Sequence, residues 1–276
     1  MYTAAVSTIN RIIAEYGIEP YKTRFLKRRH DTSKIDTPTK LQAYLSAYHK
    51  HSFVITERGR PGRHKPKPWE LEDQRLPDTK MMDNGIGYVK YYQYSGYDKN
   101  TETQMVQKVE RLLKRKLTGL IIDLRYHSGG NMWPQLKSLR KIIANCKLIS
   151  MTDGKSYISI DKTGHVNHNS TVRKKQLSTD MPIAVLIGRN TVSSGEIIAM
   201  IFDHRKNCKL FGHKTGGFLT VNDGPIPINH KFKMFLTIGY LTTIDGKTHR
   251  TEYVMPHVTT DEPIEDAVKW ITSVAG

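Results

Sequence analysis

The sequence predicts an α/β protein on three observations. From residue 85 onward, short apolar runs alternate with longer stretches of helical periodicity, as parallel βα units require. Two of the runs, "LTGLIIDLRY" (117–126) and "PIAVLIG" (182–188), are almost continuously apolar, which suits strands buried on both faces. Each is followed by a tight stretch of small and polar residues, "HSGGN" and "NTVSSGE", before a helical pattern begins.

The elements follow in order. Residues 1–50 read as helical, because Ile9, Ile12, Ile13 and Tyr16 recur at the 3.6 period and Leu41, Tyr44 and Leu45 do so after the start signal "DTPTK". This gives a small helical N-terminal subdomain over 1–48 and a core over 49–276. Proline and charge crowd into "RGRPGRHKPKPWELEDQRLPD", which places a loop or linker at 60–80. "GIGYVKYYQY" (85–94) reads as a strand, and "NTETQMVQKVERLLKRK" (100–116) as a helix opening on a Thr or Asn cap. The buried strand at 117–126 leads to a helix over 132–145 and a polar, hairpin-like stretch over 149–175. The second buried strand leads through the serine turn to the helix "GEIIAMIFDHR" (195–205), the strand "CKLFG" (208–212) and the Gly/Thr-rich loop "HKTGGFLT" (213–220). Strands within 225–243 and a last helix, "EPIEDAVKWITSV" (262–274), close the chain.

Charge and cysteine usage narrow the function classes. A net charge of +17 favours anionic partners, but the basic clusters "KTRFLKRRH", "RGRPGRHKPK", "RLLKRK" and "RKK" are dispersed. No helix-turn-helix, zinc-finger or aromatic RNA-binding signature surrounds them, so nucleic acid is not the expected partner and contact with an anionic surface stays open. Cys146 and Cys208 have no CxxC or His/Cys ligand spacing, so neither a metal site nor a disulfide scaffold is expected, and both read as buried thiols. No cofactor motif is present. No run of about 18 apolar residues and no export signal is encoded, so the chain is expected in the cytoplasm, or outside it if an N-terminal anchor was removed.

Both small-residue turns fall at the carboxyl ends of predicted parallel strands, where reacting groups gather. In "NTVSSGE", Ser193 or Ser194 at a strand-to-helix turn presents a hydroxyl beside amides that lack intrahelical partners and can stabilise an oxyanion. Plain capping is the competing reading, with Ser193 or Thr191 as the N-cap and Glu196 as the capping-box carboxylate. "SGG" (128–130) brings bare backbone close to a substrate or is simply a flexible turn. A serine nucleophile needs a base; among 12 histidines, His51 stands at the junction of the helical piece and a β-rich stretch.

Together these pieces resemble the tail-specific, or C-terminal processing, serine peptidases, a family that includes the tricorn protease core and the nisin-resistance peptidases. "DLRYHSGG" (123–130) looks like the family's D-L-R-x-N-x-G-G, "TVSSGE" (191–196) like its T-A-S-x-G-E, and "HKHSF" like the D-x-H-[ST] of the histidine-using branch. "LFGHKTGGFLTVNDGPIPI" and "DGKTHRTEYVMPHV" are similar to its later loop and its terminal segment. The resemblance implies a ClpP/crotonase-like ββα core without a PDZ domain and a serine peptidase acting on a peptide tail or small peptide. It makes Ser193 the nucleophile and His51 the general base, with Glu196 and Glu252 as assisting carboxylates. The backbone N–H groups of Ser194 and of Gly129 or Gly130 form the implied oxyanion hole, and Ser52 and His127 are possible supporting residues. The lysine position of the Ser–Lys branch falls on Phe218, which sets that mechanism aside, and Lys214 falls too early to replace it.

The chain departs from the family pattern at His49, His127, Val192 and His257. These departures make His49 and His127 rivals to His51. They also keep open a peptide-binding module that has lost its chemistry and, as a further alternative, an anion or nucleic-acid binder.

Overall fold

A computed structural model describes residues 6–11, 34–56, 76–96, 98–143, 146–151, 157–160, 165–168, 181–203, 205–242 and 253–275. Ile12, Ile13, Tyr16, most of the proline-rich stretch and Glu252 lie outside them. The chain forms two compact units, one of residues 1–66 with 220–240 and one of residues 67–219 with 241–276.

The first unit contains α1 (Pro38–Tyr48) and β1 (Phe53–Thr56), and residues 6–11 are helical as well. The second contains β2 (Asp78–Met81), β3 (Ile86–Lys90), α2 (Lys99–Leu113), β4 (Gly119–Asp123), α3 (Trp133–Ser138), α4 (Arg140–Ile143), β5 (Cys146–Met151), β6 (Tyr157–Ile160), β7 (Val166–His168), β8 (Ile183–Ile187), α5 (Ser194–Asp203) and β9 (Cys208–Gly212). β10 (Thr220–Pro227) and most of β11 (Phe232–Thr242) return to the first unit, before β12 (Val258–Thr259) and α6 (Pro263–Ala275) complete the second.

In the first unit β11 pairs antiparallel with both β1 and β10. Thr37 caps α1 by accepting the Lys40 N–H, with Pro38 in the first turn where its missing donor costs nothing. The apolar face of α1 (Leu41, Tyr44, Leu45, Tyr48) packs with Val54, Met234 and Leu236 into one core. The first unit is thus not the purely helical piece of residues 1–48. Cross-strand pairing recruits 220–240, a segment that no local sequence signal ties to the N-terminus.

The second unit is organised on a sheet in the order β12-β9-β8-β4-β3-β2. Every neighbour pair is parallel except β2 with β3, which makes an antiparallel edge. All five residues of β4 and of β8 are buried, as their continuous apolar runs require. Ile121, Ala184, Leu186 and Phe211 meet Ala267 and Ile271 of α6 on one face, each buried aliphatic side chain contributing about 2 kcal/mol of transfer free energy. β5, β6 and β7 form an antiparallel meander, to which Leu241 and Thr242 at the end of β11 pair through Met151 and Ser150.

Three expectations change locally. α2 is capped by Asp98, whose carboxylate accepts the Thr101 N–H and hydroxyl, not by Asn100 or Thr101. The single helix expected over 132–145 is two short segments. Ser138 donates its hydroxyl to the Gln135 carbonyl at 2.6 Å, a local bond that competes with the helical ladder. Cys208 is only part-buried, and desolvation pushes its thiol up to about 12; the Cys146 side chain lies outside the described residues.

Candidate active site

In the second unit the loops after β4 and β8 converge. Thr191 staples the two strand ends together: its hydroxyl donates to the Leu124 carbonyl at 2.8 Å and accepts the Gly188 N–H at 2.9 Å. The Val192 N–H donates to the His127 carbonyl at 2.9 Å. Thr191 therefore does not cap α5; Ser193 holds that position, with φ +54°. A left-handed serine is uncommon, and its persistence shows that the surrounding bonds over-determine the turn.

Those bonds centre on Glu196, which is fully buried. Its carboxylate accepts the Ser193 N–H at 2.8 Å, the Gly217 N–H at 2.9 Å, the Phe218 N–H at 2.7 Å and the Thr215 hydroxyl. Thr215 in turn exchanges two bonds with Val254: its hydroxyl accepts the Val254 N–H, and its own N–H reaches the Val254 carbonyl. Burial raises the Glu196 pKa, and the four hydrogen bonds oppose that shift. Only half of a capping box is formed. Glu196 holds the Ser193 N–H, whereas the Ser193 hydroxyl makes no hydrogen bond among the described residues. The Ser194 hydroxyl is buried and has no partner among the described residues.

The glycine pair lies against the same turn. A Cβ on Gly129 would stand 3.1 Å from the Ser193 Cβ, and one on Gly130 would stand 2.3 Å from the Tyr94 carbonyl oxygen. Gly130 also has φ +102°, so no other residue fits there. Of the two amides weighed for an oxyanion hole, that of Gly129 is already donated to His127 Nδ1 at 3.2 Å. The Gly130 amide makes no hydrogen bond among the described residues. The Ser194 amide belongs to the unpaired first turn of α5.

His127 is not a base. It is fully buried, its Nε2 lies 2.6 Å from Gln135 Oε1, and its Nδ1 accepts the Gly129 amide, so both ring nitrogens are committed. His257 plays a strand-end role. Its Nδ1 accepts the Leu210 N–H, and its own N–H reaches the Leu210 carbonyl. The buried Asp123 accepts the Tyr88 hydroxyl at 2.6 Å and a two-pronged Arg125 guanidinium, so the "DLR" motif is scaffold. Phe218 offers Glu196 its amide, and Lys214 Nζ lies 4.8 Å from the centre of the Tyr253 ring.

In the first unit, His51 sits buried in the turn between α1 and β1. Its Nδ1 is 3.1 Å from the Thr220 hydroxyl. Thr220 donates to Asn222 Oδ1, which also accepts the Thr237 hydroxyl, while Asn222 Nδ2 donates to the His51 carbonyl. With its proton directed at Asn222, Thr220 accepts from His51, which places the imidazole proton on Nδ1 and the basic lone pair on Nε2. Thr220 and Asn222 were not among the sequence candidates; the one available signal is their i, i+2 spacing on a strand, which puts them on one face. His49 Nδ1 accepts the His51 N–H at 3.1 Å, and burial, helped by Lys50, holds its pKa at about 4. Ser52 Oγ accepts the Thr237 N–H at 2.9 Å and so belongs to the strand pairing.

The sequence model of Peptidase family S41 matches residues 85–260, well over half of the chain. The nisin-resistance protein of Lactococcus lactis subsp. lactis is 25% identical over 234 residues, covering 81% of this chain and 70% of that protein. The carboxy-terminal processing protease CtpA of Bacillus subtilis (strain 168) is 26% identical over 187 residues, covering 67% of this chain but only 37% of that protein's length. The structure of a lipoprotein from Streptococcus agalactiae matches with a TM-score of 0.74 at 22% identity, covering 99% of this chain and 95% of that one, a likeness of fold.

Proposed function

The chain belongs to peptidase family S41, and on that premise we propose that it hydrolyses peptide bonds through an acyl-enzyme on Ser193, with His51 as general base. It is a serine-type peptidase, and its substrate is a peptide or protein. The observation that carries the assignment of Ser193 is the half-formed capping box: Glu196 fixes the serine by its backbone and, among the described residues, leaves the hydroxyl uncommitted. His51 takes the Ser193 proton on Nε2, the alkoxide attacks the peptide carbonyl, and the Ser194 and Gly130 amides stabilise the oxyanion. The protonated His51 then gives its proton to the leaving amine, and water hydrolyses the ester. Thr220 and Asn222 orient the imidazole.

The substrate proposed is a peptide tail or small peptide, in keeping with the carboxy-terminal processing and nisin-resistance relatives. Among the described residues no helix is long and apolar enough to cross a membrane. The nisin-resistance and lipoprotein likenesses favour the extracytoplasmic of the two locations weighed from sequence.

Fluorophosphonate labelling with the modified peptide mapped by mass spectrometry tests the reading. Labelling at Ser193, lost in Ser193→Ala and His51→Ala and kept in Ser194→Ala, is the expected result. A folded wild type that takes no label, or takes it at Ser194, overturns the assignment and moves the chain to the inactive peptide-binding alternative.

A further inference from the structure

Where the family pattern carries asparagine, this chain has a buried histidine at 127, tied to a glutamine eight positions later. The state of that histidine is fixed by its neighbours. Gln135 Nε2 donates to the Tyr92 carbonyl at 2.8 Å, and a carbonyl only accepts, so Gln135 Oε1 must be the atom facing His127. An amide oxygen also only accepts, so His127 carries its proton on Nε2. That leaves Nδ1 as a lone pair, and the Gly129 N–H donates to it. The imidazole is therefore neutral, with each nitrogen in a single defined role. Its backbone carbonyl accepts the Val192 N–H, and it packs so closely on Gly195 that a Cβ there would stand 2.6 Å from that carbonyl oxygen and 3.0 Å from Nδ1. One residue thus contacts both loops from which the proposed nucleophile and oxyanion donors come.

We propose that Gln135 and His127 are positioning residues for the oxyanion hole: Gln135 sets the tautomer of His127, and His127 commits the Gly129 amide, so that Gly130 supplies the donor to the reacting carbonyl. The inference rests on the serine-peptidase reading above. A second ring proton would place an N–H at Nδ1 against the N–H of Gly129, and the turn that presents Gly130 could not persist. Among the described residues the ring meets Gln135 from α3, Gly129 from its own turn and Gly195 from the nucleophile turn, while Val192 meets its backbone carbonyl, and none of these is charged. The Glu196 carboxylate, next in sequence to Gly195, is directed to residues 193, 215, 217 and 218.

The test is the second-order rate of fluorophosphonate labelling across pH 6–9. The probe reports on the hole because its phosphoryl oxygen occupies the oxyanion position as the Ser193 Oγ–P bond forms, fluoride leaves and the proton passes to His51. Gln135→Glu puts a carboxylate against Nε2–H and favours the doubly protonated ring. Its labelling is expected to fall on the order of 100-fold at neutral pH, the loss of one oxyanion donor, and to recover as pH rises. His127→Asn keeps an acceptor for the Gly129 amide without a titrating ring, so adding it to Gln135→Glu should abolish the extra acid-side loss of that variant and leave the decline set by protonation of His51. Thermal unfolding of each variant separates misfolding from mispositioning. A folded Gln135→Glu that labels like wild type, or one whose loss does not change with pH, overturns the proposal while Ser193→Ala remains unlabelled. A Ser193→Ala that still labels overturns the serine assignment itself and this inference with it.

Discussion

The Glu196 carboxylate accepts the main-chain N–H of Ser193 at 2.8 Å from a fully buried position, so the residue proposed as nucleophile is held by its backbone and not by its hydroxyl. The resemblance makes Glu196 an assisting carboxylate, yet its partners among the described residues are the Ser193, Gly217 and Phe218 amides and the Thr215 hydroxyl, all donors that hold the turn. Glu196→Gln keeps the shape but swaps one accepting oxygen for an NH₂ facing N–H groups. Stability should fall by about 2–4 kcal/mol in chemical denaturation, from charge-assisted bonds lost to a buried group, and Ser193 labelling should fall with it. A Gln variant of wild-type stability with reduced labelling would instead make Glu196 a participant in the chemistry.

Ser193 sits at φ +54°, a backbone state that costs a non-glycine residue about 1–2 kcal/mol. Ser193→Gly relieves that strain, partly offset by the greater entropy of an unfolded glycine. Both Ser193→Gly and Ser193→Ala should be unlabelled, with the glycine variant the more stable by about 1 kcal/mol in paired thermal melts. Equal melting temperatures would show that the turn is not strained.

Arg125 grips the buried Asp123 through two nitrogens while Tyr88 holds the same carboxylate. Arg125→Ala leaves a buried charge without its counter-ion and should cost about 3–5 kcal/mol. The double variant Arg125→Ala with Asp123→Asn should recover part of that loss, because the uncompensated charge is gone. A fully additive double-mutant cycle would argue against coupling of the pair.

Acid should weaken the fold through its buried histidines. Burial, helped by Lys50, holds His49 at about 4 when folded against an ordinary value of 6.5, and burial lowers His127 as well. Between those two values of His49 the unfolded chain binds more protons than the folded one, so stability falls as pH drops from 6.5 towards 4, by up to about 1.4 kcal/mol per pH unit from His49, and His127 adds to the fall in the same direction. Denaturant midpoints measured across this window should show the decline, and His49→Gln should make it shallower.

Base orientation by a hydroxyl should also be measurable. Thr220→Val removes the acceptor for His51 Nδ1–H, and Ser193 labelling should slow about tenfold with little change in stability. No slowing would mean that another group orients the imidazole.

The buried strands 119–123 and 183–187 and the helix at 263–275 were legible because their patterns are local: unbroken apolar runs and a 3.6 period. The strand "CKLFG" emerged with its bounds unchanged. Ser193 and Glu196 could be read as an N-cap and its carboxylate from spacing alone, and the capping reading proved partly right on the backbone side. What the sequence hid was relational. Thr215, Gly217 and Phe218 meet Glu196 only through a loop some twenty positions away, and Thr220 meets His51 across 169 positions. Gln135 carries no local signal of its role, because its two amide atoms act by bridging His127 and Tyr92.

The close seat of His127 on Gly195 has an evolutionary consequence. The ring, the glutamine that fixes its proton and the residue without a side chain beneath it are mutually dependent, so a drift at one position is harmful until the others follow. Lineages with asparagine at this site are released from the need for an amide eight positions on, whereas those with histidine should retain it. The three positions should therefore change together through the history of these enzymes, as one inherited cassette embedded in an otherwise divergent chain.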